Sequence, residues 1–182
     1  LTEDELLLYG AWVDAIGTIV SAYAELREIS GFNDENDKIV SIGEGLQAVG
    51  TAMMGIVTTE DLMNFAGTWV DAAGAATASL AAYRQSVEGG ESDANLRLEV
   101  LGDTFQAMGS AMSALAEYRA GAPYAGNVLQ SLGATLEALG ALFEQKSREE
   151  QGQMLATVGA IIQATGANLN AVLISFDHMN SD

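Results

Sequence analysis

The chain has 182 residues with 25 acidic against 7 basic side chains, a formal charge of −18, no cysteine, one histidine, one proline and twenty glycines. Its length fits one domain able to bury a core of its own. The charge opposes nucleic acid and anionic membrane surfaces as partners, since both need Lys/Arg excess, and the lack of cysteine excludes disulfides, thiol chemistry, zinc fingers and iron–sulfur clusters.

In chain order, cap and turn signals predict helices over 3–30, 37–57, 60–88, 93–119, 123–146 and 149–176. The first opens on a capping box, Thr2 with Glu5, and stops before Gly31. The loop GFNDENDKI that follows is rich in Asp and Asn and could attract Ca²⁺. It lacks the sixth-position glycine and twelfth-position glutamate of an EF-hand loop, so a polar turn is expected. Thr59 precedes an acidic turn at the start of the third helix, and Gly89–Gly90 suit its end. Ser92 opens the fourth, Pro123 suits the first turn of the fifth, and Ser147 with Glu150 reads as a second capping box for the sixth.

A repeat runs through these helices. Six glycine pairs stand seven residues apart: Gly10/Gly17, Gly43/Gly50, Gly67/Gly74, Gly102/Gly109, Gly126/Gly133 and Gly159/Gly166. Four residues after each first glycine comes Asp or Gln, namely Asp14, Gln47, Asp71, Gln106, Gln130 and Gln163. The spacing between alternate units is 57 or 59 residues, so odd and even helices form two series. The fold class is therefore all-α: a six-helix antiparallel bundle built from three tandem helical-hairpin repeats, 1–57, 58–116 and 117–182, within one domain, 1–182. Period alone leaves open whether the hairpins close into a ring or extend as a solenoid.

Positions seven apart drift only about 20° around a helix, so each glycine pair makes one stripe. Each interior glycine costs roughly 1 kcal/mol against alanine, and twelve cost on the order of 10 kcal/mol. Close backbone approach between helices is the expected compensation. The six Asp/Gln side chains lie beside the stripe, where they are expected to form inter-helix hydrogen bonds, with the polar lining of a ligand channel as the functional alternative. Asp14 and Asp71 are equivalent residues that could meet near the axis and bind a divalent ion or share a proton.

No other constellation supports chemistry. His178 lies in the tail beside Asp177, no G-x-S-x-G or P-loop occurs, and Glu-x-x-His motifs for a di-iron site are absent. No enzyme activity, cofactor or metal is expected. Only five of the 32 charges fall in the central fourteen residues of the helices, which predicts a homo-oligomer joined through low-charge faces. The alternative is a carrier of a small apolar or amphipathic ligand between glycine-lined helices. The stretch from Met154 to Phe176 carries no charge and is long enough to span a bilayer, but Gln163, Asn168 and Asn170 would be costly in lipid. With no Arg/Lys-flanked apolar segment at the start, the expectation is a cytoplasmic protein without membrane insertion, although Leu1 in place of Met allows a processed start. The methionines are expected in the core.

The segments GAWVDAIGTIVSA and LQAVGTAM resemble an uncharacterised family of repetitive Gly/Ala/Gln-rich helical proteins of Gram-positive bacteria. The resemblance spans the six glycine units and implies no activity or site. Asp stands at positions 14 and 71 where the family pattern has Gln.

Overall fold

A computed structural model describes residues 1–31, 35–89 and 92–181. They form six helices and no strand: α1 (Glu3–Ile29), α2 (Asn36–Val57), α3 (Leu62–Glu88), α4 (Asp93–Ala120), α5 (Ala125–Gln145) and α6 (Glu149–Ser181). The all-α six-helix expectation holds. The Thr2–Glu5 capping box is formed, and Ser92 caps α4 by accepting from the Asn95 amide. Two starts differ. Asp61, two residues beyond Thr59, caps α3 by accepting from the Asn64 amide at 2.8 Å. Ser147 sits at φ 58°, a left-handed turn that cannot serve as an N-cap, so α6 begins at Glu149 without the second capping box. Pro123 lies just outside α5 rather than in its first turn. The loop considered for Ca²⁺ includes residues 32–34, which fall outside the described residues.

Each helix packs on its neighbours in sequence, and α1 packs on α6. The ring is closed, which decides against the solenoid. Within each hairpin the glycine stripes meet face to face. A Cβ placed on Gly17 would stand 2.6 Å from the Gly43 carbonyl oxygen, one on Gly74 2.6 Å from that of Gly102, and one on Gly133 2.6 Å from that of Gly159. No real side chain tolerates such distances, so glycine is required there and the backbones touch. Between hairpins, small hydroxyls replace glycine. Ser41 and Ser79 each donate to the other's carbonyl across α2 and α3, at 3.0 and 2.7 Å, and Ser131 donates to the Ala107 carbonyl across α4 and α5. Trp12 Nε1 donates to Ser175 Oγ at 3.0 Å where α1 meets α6.

The interior is unusual in composition. Among the described residues every buried apolar side chain is alanine except Leu96, and the remaining buried positions are glycine or polar. The large apolar residues point outward. On α1 they form a stripe of Tyr9, Trp12, Ile16, Ile19, Tyr23 and Leu26, all exposed, and α3 carries Phe65, Trp69, Leu80 and Tyr83. Met108, Met154 and Met179, expected in the core, are exposed too. In water this arrangement forgoes most of the hydrophobic driving force.

That inversion corrects the cytoplasmic expectation. Three helices, Glu3–Ile29, Asn36–Val57 and Glu149–Asn180, are long and apolar enough to cross a membrane. At 1.5 Å per residue even the 22-residue α2 is about 33 Å long, the thickness of a hydrocarbon core. Gln163, Asn168 and Asn170 weighed against insertion in the sequence because an isolated helix would expose them to lipid. In the ring Gln163 is buried, Asn168 donates to the Ala164 carbonyl of its own helix at 2.8 Å, and Asn170 donates to Asn127 at 2.9 Å. The finding points to a membrane protein.

Gly50→Leu and Gly109→Leu are expected to destabilise the detergent-solubilised protein by on the order of 2–3 kcal/mol, because overpacking between two backbones cannot relax. Gly45→Ala, whose new Cβ would meet only Ser79 Oγ at 3.4 Å, should be neutral or slightly stabilising. Thermal unfolding followed by circular dichroism compares them.

Candidate functional site

All six repeat polar residues, Asp14, Gln47, Asp71, Gln106, Gln130 and Gln163, are buried, at 2 % to 9 % exposure. Their position four residues after a helix-contact glycine places them on the inner side of the ring wall. They do more than bridge neighbours. Gln163 Nε2 on α6 donates to Gln106 Oε1 on α4 at 2.7 Å, and Gln106 Nε2 donates to Glu44 Oε2 on α2 at 2.9 Å. Helices α2, α4 and α6 do not pack on one another, so these bonds cross the axis of the ring. Glu44 Oε1 accepts from Ser21 Oγ at 2.9 Å and from Gln47 Nε2. One carboxylate thus gathers three donors, and the amide chain closes the middle of the lumen.

The odd helices contribute aspartates to the same layer. Ser110 Oγ donates to Asp71 Oδ2 at 2.6 Å, and Thr51 donates to Asp14. Thr51 and Ser110 occupy equivalent places, eight residues after Gly43 and Gly102, so the first two hairpins repeat one Asp–hydroxyl pairing. Asp14 stands within electrostatic reach of Asp71. Among the described residues no three His, Asp or Glu side chains converge as a metal-ligand set.

On either side of this layer lies a cavity. The first, about 50 Å³, opens where α1, α3 and α5 end and α2, α4 and α6 begin. Among the described residues its lining holds eight carboxyl groups, from Glu25, Glu28, Asp37, Glu44, Glu99, Asp103, Glu137 and Glu144, and no Lys or Arg. Gln153 Nε2 donates to Glu25 at 2.8 Å and Gln85 Nε2 to Glu99 at 3.0 Å. The second cavity, about 250 Å³, opens at the opposite end and is lined by Asp71, Gln130, Glu117, Asn127, Asn170 and Asp177 among others. Asn127 Nδ2 donates to Glu117 at 2.8 Å. Such spaces suit water or a small ion.

Sequence reasoning missed Glu44, Asp103, Glu25 and Glu137. Their signal was present. Positions one, four, eight, eleven and fifteen after each first glycine fall on one helix face, and Glu44, Asp103, Ser110, Ser21, Glu137 and Glu25 occupy them. His178 lies in the last turn of α6, away from any set of partners that would make it a general base.

A family model described as a family of unknown function (DUF6944) matches residues 5–171. The chain belongs to that family. The match runs from the first turn of α1 into the second half of α6, so the closed ring is the unit that the family covers. No curated protein and no solved structure matches the chain.

Gln106 is the hinge of the axial network, donating to one partner and accepting from another. Gln106→Leu leaves the Glu44 carboxylate and the Gln163 amide each short of a partner and should cost about 1–3 kcal/mol. Gln106→Glu, which keeps an acceptor for Gln163 but sets a second carboxyl against Glu44, should cost more at neutral pH than at pH 5. Chemical denaturation at the two pH values measures both.

Proposed function

We propose that this DUF6944 protein is a membrane-embedded helical barrel that moves protons through a carboxyl-lined interior. The observation carrying this reading is the enclosure of Asp14, Glu44, Asp71 and Asp103 inside a wall whose outer face is apolar, with no Lys or Arg among the described residues that line the carboxylate cavity. An ionised carboxyl in such a place is costly unless a proton or cation neutralises it, and intramembrane acids mark ion and proton routes. The two cavities bring water to either side of the axial layer, and Glu44 and Asp71 each touch both that layer and a cavity. The reading is non-enzymatic and needs no cofactor.

An interior of carboxyl and amide groups fits poorly with an apolar or amphipathic cargo. Self-association is the second reading, now as lateral association of barrels in the bilayer. The outward stripe of α1, spaced three and four residues apart from Tyr9 to Leu26, is the pattern of a helix–helix seam. Native mass spectrometry from lipid nanodiscs should then show multiples of the 19.0 kDa chain.

The expected result in proteoliposomes is dissipation of an imposed pH gradient faster than in empty vesicles, reduced at least tenfold by Glu44→Gln. Gradients of Na⁺ or K⁺ at constant pH should persist. Proton leak equal to that of empty vesicles, or unaffected by Glu44→Gln and Asp71→Asn together, would overturn the proposal. Dissipation of the cation gradients would reassign the route to cations.

A further inference from the structure

The net charge of −18 conceals an uneven distribution of the seven bases. Arg27, Lys38, Arg84, Arg97, Lys146 and Arg148 all stand where α1, α3 and α5 end and α2, α4 and α6 begin. The opposite end, which carries both chain termini, has Arg119 alone. Lys38, Arg84, Arg97, Lys146 and Arg148 are exposed and Arg27 is half-buried, and two sit over ring faces at the same level: Arg27 over Tyr23 at 5.8 Å and Arg148 over Phe143 at 5.4 Å. Aromatic rings capped by guanidinium groups at the end of an apolar wall are the composition of a headgroup-level rim. Orientation follows Lys and Arg in short loops near the helix ends, and acids weigh little in it.

From this asymmetry we propose that the basic rim rests on the anionic headgroups of the cytoplasmic leaflet, so that both termini lie on the far side and the carboxylate cavity opens to the cytoplasm. The inference rests on the membrane reading and not on proton movement. Six bases against one, all within about two turns of a helix end, leave little competition for the orientation. Acids of the same end weigh little in orientation: Glu25, Asp103 and Glu137 line the cavity, while Glu35 and Glu88 at the rim pair with Lys38 at 3.1 Å and Arg84 at 3.5 Å. The expectation drawn from net charge, that anionic surfaces are disfavoured, applies to the molecule as a whole and fails at this rim.

A chain without cysteine allows a clean test. Ser147→Cys reports the basic end and Thr59→Cys the other, and both positions are exposed. In bacterial spheroplasts expressing each variant, a membrane-impermeant maleimide should label Thr59→Cys at once and Ser147→Cys only after permeabilisation. The reverse pattern would overturn the orientation while leaving the membrane reading intact. Protection of both, with the protein in the soluble fraction, would overturn the membrane reading itself. Replacing the six rim bases with Gln should make both positions partly accessible, and an unchanged pattern would show that the rim does not set the orientation.

Discussion

Contact between backbones within each hairpin is the constraint on which the molecule depends. Once Gly17 meets Gly43 and Gly74 meets Gly102 with no room for a Cβ, the wall of the ring is thin and its buried seam positions are mostly glycine, alanine and small hydroxyls beside the polar repeat residues. Few large apolar side chains find a place in such seams, Met54 and Ile174 at the α1–α6 contact among them. Most go to the outer surface, where Trp12, Trp69 and Phe105 stand, and the inner surface is left to residues that hydrogen-bond. The polar lumen and the apolar exterior are thus two results of one packing choice. In a bilayer this choice is favourable, because lipid accepts the outer face and close packing with hydrogen bonds supplies the attraction between helices.

Much of this architecture was legible in the sequence. The glycine pairs and their alternate spacing identified six helices in three hairpins, and Thr2, Ser92 and Gly89 marked ends that the structure retains. The polar residues beside the stripe were found as a set, and all are buried together. The boundary errors are local. Ser147 could not be known to occupy a left-handed turn, and Asp61 outcompeted Thr59 as a cap because its carboxylate reaches the Asn64 amide.

The larger error concerned direction. Helical periodicity separates an apolar face from a small or polar one but does not say which faces solvent, since that depends on whether the solvent is water or lipid. Met108 on an apolar face read naturally as core, and Gln163 read as too polar for a membrane. The resolving feature was quantitative: too few bulky residues share the glycine face to fill an aqueous core. Glu44 and Asp103, each directly after a contact glycine, point the same way, because a carboxyl beside a close helix contact faces either water or an enclosed lumen.

Neighbours in the ring are also neighbours in the chain, except where α1 meets α6. Five of the six seams therefore join segments connected by short loops and can zip in order of synthesis, at little entropic cost. The sixth waits for the last helix. Until α6 arrives, the first helix presents Trp12, Glu25 and an edge of alanines to whatever lies beside it, and the lumen is a trough rather than a tube. Enclosure of the carboxyl groups is the final event of assembly, so a chain cut short before Glu149 would display to its surroundings the polar surface that the finished barrel keeps to itself.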